Sequence, residues 1–153
     1  LVGHSDGGSI ALIHAGTYPE AVSGLVVLAP HAWVEEEALA GIRQAGEAWR
    51  QTDWPSRLGR YHRDAFRVFH DWHDTWLSPQ FRDWNIESYL SGIRVPVLAI
   101  QGKDDEYATL RQIDVIAEKT PHGAQLLKLD QCGHTPQRDQ EAASLLLSRI
   151  GVV

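Results

Sequence analysis

Gly3-His4-Ser5-Asp6-Gly7-Gly8, close to the start of the chain, is the stretch that decides how this sequence folds. It fits the pattern Gly-x-Ser-x-Gly, in which a sharp strand-to-helix turn exposes a serine hydroxyl for attack on a carbonyl carbon. The glycines on both sides of the serine are expected to remove Cβ atoms that would collide inside so tight a turn. The backbone N–H of Asp6 would then lie at a helix N-terminus, where it can stabilise an oxyanion. Ser5 is therefore the candidate nucleophile.

Two further candidate catalytic residues each follow an apolar run that predicts a buried parallel strand. Asp105 lies in the loop after Val95–Gln101, and His134 lies in the loop after Ala124–Leu129. Side chains just past the carboxyl ends of parallel strands meet in one crevice, so Ser5, Asp105 and His134 are expected to lie together. This chain order of serine, acid and histidine differs from that of chymotrypsin-like and subtilisin-like proteases.

With these residues the chain resembles the α/β-hydrolase fold superfamily, and it looks like the C-terminal part of such a protein. The segments that carry the resemblance are Leu1–Gly8, Tyr18–Glu20, Leu25–Leu28, Gly102–Asp105 and Gly133–Pro136. A narrower resemblance, through Ser-Asp-Gly-Gly, is to valacyclovir-hydrolase-like esterases. The resemblance implies an α/β fold in which parallel strands with flanking helices carry an inserted helical cap.

The resemblance also implies a serine hydrolase that cleaves a small carboxylic ester or a related acyl substrate through an acyl-enzyme. Ser5 would attack the carbonyl, His134 would act as the base, and Asp105 would orient the imidazole. Asp104 and Glu106 are competing acids, but the acid of the family usually falls three residues after the glycine that ends the strand. No cofactor and no metal are expected, and the partner is a small-molecule acyl substrate.

Other functions stay open on the same scaffold. Acyl transfer, C–C bond hydrolysis and cofactor-free peroxidation would all keep the serine. A non-catalytic ligand receptor is an alternative of a different class, because a fold does not fix a function.

Several side chains are candidates for substrate binding. The Asp6 carboxylate could pair with a cationic substrate group, although an acid in the first helical turn is also stabilising by itself. His31 follows a predicted strand and could face the crevice. Three tryptophans complete the set, with packing inside the cap as their alternative role: Trp33, Trp72 and Trp76.

The chain is predicted to contain a hydrolase core at 1–30, a helical cap and connection at 31–92, and core again at 93–153. Hydrophobic periodicity indicates a cap helix through Val34, Leu39, Ile42 and Trp49. Ile10, Ala11, Ile13 and His14 are predicted to form the packed side of the first helix. The other predicted helices and strands are Asp6–Thr17, Leu58–Phe69, Thr109–Lys119 and Gln137–Ile150 as helices, and Ser23–Ala29, Val95–Gln101 and Ala124–Leu129 as strands.

Composition argues against several other classes of protein. A formal net charge of −6 disfavours nucleic-acid binding, which needs a basic surface. No apolar stretch reaches about 18 residues, so no membrane span is expected. The single cysteine, Cys132, is expected to be a small buried core residue. Because it has no second cysteine to pair with, it fits a cytoplasmic protein.

His70 and His73 with Asp71 and Asp74 could form a metal cluster, but the polar face of a cap helix is the favoured interpretation.

The length suggests a C-terminal fragment. Such a hydrolase domain generally needs more than about 200 residues, whereas this chain has 153 and no methionine. The loop that normally supplies a second oxyanion donor would be missing, so the isolated chain is expected to be inactive and poorly stable. An exposed sheet edge beside the strand Ser23–Ala29 would allow association, including formation of a homo-oligomer.

Overall fold

Four apolar segments pair as a parallel sheet in this computed structural model, which describes residues 1–140. The strands are β1 (Val2–His4), β2 (Leu25–Leu28), β3 (Val97–Gly102) and β4 (Gln125–Leu129), in the order β1-β2-β3-β4. All residues of β2 and β3 are buried, as expected for central strands that have helices on both faces. The predicted α/β fold, a parallel sheet with flanking helices, is confirmed.

The described residues form seven α-helices, and contacts divide them between two units. The helices are α1 (Asp6–Thr17), α2 (Glu36–Gln51), α3 (Trp54–Leu58), α4 (Ala65–Leu77), α5 (Glu87–Leu90), α6 (Arg111–Lys119) and α7 (Pro136–Asp139). The first unit comprises Leu1–Trp33 with residues 85–140 and contains the sheet. The second unit, Val34–Trp84, contains α2, α3 and α4 and lies within the region predicted as cap and connection.

The core of the first unit is built on the two central strands. Val26 and Leu28 of β2 pack with Leu98 and Ile100 of β3, and Leu127 of β4 packs against this cluster. β3 forms hydrogen bonds with both β2 and β4 along its length. The carboxyl ends of all four strands therefore lie at one edge of the sheet, where the loops that follow them meet.

Helix α1 has the predicted bounds but not the predicted packed side. Ala11, Leu12 and Ala15 are buried, whereas Ile10 is 65% exposed and His14 is also exposed. The prediction was right for Ala11 and wrong for Ile10 and His14, because small and apolar residues are spread around this helix and periodicity does not single out one face. The face that packs is the one whose small residues allow close approach to β1 and β2.

The sheet has an edge strand, β1, beside the strand predicted at Ser23–Ala29. β1 is only three residues long, yet it pairs with β2 in register, with Val2 opposite Val26 and His4 opposite Leu28. β2 is therefore internal. Val2 is 59% exposed on this edge strand. Association through the edge stays a prediction.

The second unit is held by aromatic packing between its helices. Trp49 of α2 stacks on Phe69 of α4 with ring centroids 4.1 Å apart, and Trp54 contacts Phe69 edge-on. Leu39, Ile42 and Trp49 are buried along α2 as the periodicity predicted. Aromatic pairs of this kind add about 0.5–1.5 kcal/mol each beyond the burial of their area.

The helix predicted over Leu58–Phe69 is interrupted. α3 ends at Leu58, and α4 begins only at Ala65, because the Asp64 side chain accepts a hydrogen bond from the backbone N–H of Arg67 at 2.9 Å. This N-cap satisfies a donor that no helical carbonyl reaches. The apolar pattern across the break belongs to two separate helices, so a single helical period was the wrong interpretation.

The last predicted helix is described only at its beginning. The structure has a helix at Pro136–Asp139, and the remainder of Gln137–Ile150 lies outside the described residues, apart from Gln140, which is not helical. Among residues 1–140, no helix is both long enough and apolar enough to cross a membrane.

We predict that Asp64→Ala lowers the free energy of unfolding by about 1 kcal/mol, because the Arg67 N–H loses its capping acceptor. Asp53→Ala is the matched control, since Asp53 precedes α3 without a side-chain capping bond. Urea unfolding of both variants measures the difference. Equal losses in the two variants would contradict the capping role of Asp64.

Candidate active site

Ser5 lies in a strained turn between β1 and α1. Its backbone has φ 54° and ψ −125°, a conformation that costs a non-glycine residue about 1–3 kcal/mol. The turn is held by a hydrogen bond from the Ser5 N–H to the Leu28 carbonyl at 2.9 Å, and by the N–H groups of Gly8 and Ser9, which donate to the Ser5 carbonyl. These bonds fix the serine at the carboxyl end of β1, with its side chain outside the regular structure.

The glycines of the motif are not equally necessary. A Cβ at Gly3 would overlap the backbone of Gly7, and a Cβ at Gly8 would lie 3.1 Å from the Cβ of Pro30. A Cβ at Gly7 would meet nothing within 4 Å. The expectation that glycines on both sides of the serine prevent collisions therefore holds for Gly3 and was wrong for Gly7, because the side chain there would point away from the turn.

Ser5, His134 and Asp105 form a continuous chain of hydrogen-bond distances. His134 Nε2 lies 2.9 Å from Ser5 Oγ, and His134 Nδ1 lies 2.8 Å from Asp105 Oδ1. The Asp105 side chain is fully buried and that of His134 is 12% exposed. An ionised carboxylate only accepts hydrogen bonds, so Nδ1 carries the proton and Nε2 can accept from the serine hydroxyl.

The buried Asp105 carboxylate is satisfied by neighbours on its own loop and strand. Oδ1 accepts a hydrogen bond from the backbone N–H of Tyr107 at 2.9 Å, and Oδ2 accepts one from Nε2 of Gln101 at 3.2 Å. Gln101 is itself fully buried in β3, so its amide cannot turn to solvent. These donors hold the carboxylate in the orientation that faces His134.

The two competing acids are exposed and do not face Nδ1 of His134. The Glu106 carboxylate instead accepts the backbone N–H of His134 at 3.2 Å. The backbone N–H of Asp104 donates to the Cys132 carbonyl at 3.0 Å, which ties the acid loop to the histidine loop. Cys132 is fully buried, as expected.

Three rings surround the His134 imidazole. The Tyr107 ring lies edge-on with its centroid at 4.9 Å, and the His4 and His31 rings lie at 5.2 and 5.8 Å. Burial, with the charges of Glu106 and Asp105, raises the pKa of Tyr107 to about 12. The phenol therefore stays neutral beside the imidazole throughout the pH range in which a histidine titrates.

His31 lies where the sequence suggested it could, beside the candidate triad. Burial, and then repulsion from His134, lower the pKa of His31 from 6.5 to about 4. Its backbone is fixed to α1, because the Ser9 hydroxyl donates to the His31 carbonyl at 2.7 Å and accepts its N–H at 3.2 Å. At neutral pH, His31 is thus an uncharged polar ring in the site.

The other substrate-binding candidates are placed differently. Asp6 is the first residue of α1 and is exposed. Trp33 belongs to the first unit, where its backbone forms an isolated antiparallel bridge with Asn85. Its carbonyl oxygen accepts a hydrogen bond from Nε2 of Gln112 at 3.1 Å. Trp72 and Trp76 belong to the second unit, and Trp76 is buried against Phe81 and Trp84. Their roles in substrate binding stay predictions, and the burial of Trp76 favours packing for that residue.

The histidine pair of α4 shares one carboxylate. His73 Nδ1 lies 2.7 Å from Asp74 Oδ1, and His70 Nδ1 lies 3.2 Å from Asp74 Oδ2. These hydrogen bonds lower the pKa of Asp74, with the bond from His73 as the largest cause. Asp71 instead pairs with Arg67. The cluster could offer three donor atoms to a metal, but the hydrogen bonds account for the arrangement without one.

Sequence reasoning did not single out three groups that the structure places around the triad: His4, Gln101 and Tyr107. His4 occupies a variable position of the Gly-x-Ser-x-Gly motif, so the motif predicts nothing about its side chain. Gln101 offered a usable signal, because an amide at the end of an apolar run must find partners if the strand is buried. Tyr107 carried no such signal, since its contact depends on the turn of the loop.

Comparison with known proteins gives consistent matches. The model of the alpha/beta hydrolase family matches residues 1–144. A serine hydrolase involved in carbazole degradation is similar in structure, with a TM-score of 0.72 and 21% identity over 99% of this chain and 63% of its own. A meta-cleavage product hydrolase from Pseudomonas fluorescens has a TM-score of 0.63 and 19% identity over 96% of this chain and 61% of its own.

A hydrolase of 2-hydroxy-6-oxo-6-phenylhexa-2,4-dienoate from Rhodococcus is also similar, with a TM-score of 0.67 and 16% identity over 97% of this chain and 62% of its own. The chain thus spans less than two thirds of the length of these three proteins. At such identities the likeness concerns the fold.

We predict that Gly3→Ala strongly destabilises the protein, because the new methyl group would overlap the Gly7 backbone. Gly7→Ala is the matched control in the same turn and should unfold close to the wild-type temperature, since its methyl group meets open space. Circular dichroism during heating gives both midpoints. A stable Gly3→Ala variant would show that the turn can open to admit the side chain.

We also predict that His31 weakens the fold in acid. The pKa of His31 is about 4 in the folded protein and near 6.5 in the unfolded chain. Between these pH values the unfolded chain binds a proton at His31 and the folded protein does not, which favours unfolding. Stability therefore falls as pH drops from about 6.5 to about 4, by up to about 3 kcal/mol. His31→Phe should lose less stability over this interval than wild type, as measured by urea unfolding at several pH values. His122→Phe, at an exposed position, is the control and should follow wild type.

Proposed function

Because the chain belongs to the alpha/beta hydrolase family, we propose that it carries the catalytic residues of a serine hydrolase acting on carboxylic esters or related acyl compounds. The observation that carries the proposal is the unbroken series of hydrogen-bond distances from Ser5 Oγ through His134 to Asp105. Such a series of hydrogen bonds serves to remove the proton from the serine hydroxyl during nucleophilic attack. A receptor that only binds a ligand does not need this proton transfer.

In the first step, Ser5 Oγ attacks the acyl carbonyl while His134 Nε2 takes its proton. The resulting imidazolium is stabilised by the Asp105 carboxylate, which is already oriented by Gln101 and by the backbone of Tyr107. Because the Asp105 side chain is fully buried, water cannot compete for its oxygens. His134 then gives the proton to the leaving alcohol, and the acyl group stays on Ser5.

The second step reverses these roles. Water attacks the acyl carbon while His134 Nε2 takes its proton, and His134 then returns that proton to Ser5 Oγ as the bond between Oγ and the acyl carbon breaks and the acid is released. The negative oxygen formed in both steps needs hydrogen-bond donors. The backbone N–H of Asp6, in the first turn of α1, is the donor that we assign, because it directly follows the nucleophile and lies at the positive end of the helix dipole.

The substrate class within acyl compounds is a further part of the proposal. The Asp6 side chain follows the nucleophile and is exposed at the same turn, and a carboxylate at this place can pair with a cationic group of the substrate. The resemblance to valacyclovir-hydrolase-like esterases supports an α-amino ester. The comparison of an α-amino ester with its deaminated analogue, in wild type and Asp6→Asn, separates this role from simple stabilisation of the helix.

C–C bond hydrolysis is the second candidate. It uses the same serine and histidine, and two of the structurally similar proteins are hydrolases of meta-cleavage products or of a dienoate. The two candidates differ in the substrate that is turned over, so parallel assays with a p-nitrophenyl ester and a meta-cleavage product distinguish them.

We predict that Ser5→Ala abolishes labelling by a fluorophosphonate and lowers ester turnover of the full-length protein by at least about 10³-fold. Asp105→Asn should lower kcat by about 10⁴-fold, because the amide favours the wrong imidazole tautomer. Asp104→Asn is the matched control and should stay close to wild type, since Asp104 is exposed and does not face His134. Near-wild-type turnover by Ser5→Ala would overturn the proposal, and the reverse ranking of the two aspartates would reassign the acid.

A further inference from the structure

His4, the residue directly before the candidate nucleophile, contacts the backbone of the candidate base. Its Nε2 lies 2.7 Å from the carbonyl oxygen of His134. A carbonyl oxygen can only accept, so Nε2 carries a hydrogen and donates it. This hydrogen bond is partly buried and joins residues 130 positions apart in the sequence.

Two consecutive residues of the turn therefore hold His134 at two points. Ser5 Oγ contacts the imidazole, and His4 Nε2 contacts the main chain of the same residue. His4 ends β1 and is paired with Leu28 of β2, so its backbone is fixed by the sheet. The position of the base relative to the nucleophile is thus set from the strand end that carries the nucleophile.

Besides the backbone bond from Asp104 to Cys132, the backbone N–H groups of the histidine loop are held by two carboxylates. Glu106 accepts the His134 N–H at 3.2 Å, and Asp139 accepts the Gly133 N–H at 3.1 Å. Water competes for carboxylates at the surface, which weakens their hold on the loop. Gln131 in the same loop has a positive φ of 51°, so the loop also contains strain that these contacts must offset.

We propose that His4 is a positioning residue, whose Nε2–H holds the His134 main chain so that the imidazole stays within hydrogen-bond distance of Ser5. The inference rests on the proposed function. His4 acts through His134 and takes no proton from the substrate, because its Nε2 is occupied by the carbonyl. The loss of this donor allows the histidine loop to shift away from Ser5, and a displacement of about 1 Å is enough to cost about 10²-fold in rate.

The choice of variants separates the donor from the shape of the ring. His4→Phe keeps an aromatic ring but has no donor, whereas His4→Gln keeps a side-chain N–H of similar reach. His4→Leu is a second variant without a donor and replaces His4→Phe if the larger ring prevents folding. His14→Phe is the matched control, because His14 is an exposed histidine on α1 whose ring packs only beside Tyr18 among the ring contacts of the described residues.

The test is the rate at which a fluorophosphonate labels Ser5 in the full-length protein, together with kcat, KM and the unfolding midpoint. We expect His4→Phe to label and turn over about 10- to 100-fold more slowly, with KM little changed. His4→Gln should recover most of the rate, and His14→Phe should match wild type.

Two results would overturn the inference while leaving the proposed function intact. One is a wild-type labelling rate in His4→Phe and His4→Leu. The other is an equal loss in His4→Gln and His4→Phe, which would assign the effect to packing. Failure of the proposed function is distinguishable, because the wild-type protein itself would then leave Ser5 unlabelled.

Discussion

The close approach of backbone to backbone at the turn after β1 is the constraint on which the site depends. Gly3 lies against Gly7 so tightly that no Cβ fits, and Ser5 is held at a positive φ by the Leu28 carbonyl. The strain of about 1–3 kcal/mol persists because β1, β2 and α1 meet at this turn and together fix its geometry. As a result the serine hydroxyl lies at the end of the strand, within reach of groups on the other loops.

Burial of the acid gives the site its second constraint. Asp105 is removed from water and receives hydrogen bonds from Gln101, the backbone of Tyr107 and His134, so each carboxylate oxygen has a partner. A buried carboxylate without such partners would cost several kcal/mol. Gln101 links this requirement to the sheet, because its side chain leaves a central strand whose position is fixed on both sides. The acid loop and the histidine loop are then joined by the bond from Asp104 N–H to the Cys132 carbonyl.

The errors of the sequence-based predictions have two physical sources. A local sequence pattern fails where it is ambiguous. Apolar residues are spread around α1 without a distinct face, and the break between Leu58 and Ala65 depends on one capping carboxylate, that of Asp64. Side-chain direction is the second source. Gly7 belongs to the motif, yet a Cβ there would contact nothing. His4 lies at a variable position of the motif, yet its side chain reaches the main chain of His134, far away in the sequence. Neither fact can be read from spacing, because both depend on where the chain folds back.

The sequence by itself determined the α/β class, the bounds of α1 and the apolar runs that become β2, β3 and β4. It also determined that Ser5, Asp105 and His134 are the candidate catalytic residues. These follow from local rules, since a turn motif, a buried run and an acid or histidine after a strand are all encoded by neighbours. The tertiary structure decided which strand forms the edge, which face of α1 is buried, and which groups surround the imidazole. It did so because pairing and packing bring together residues such as His4 and His134, whose contact costs chain entropy and has no local sequence signature.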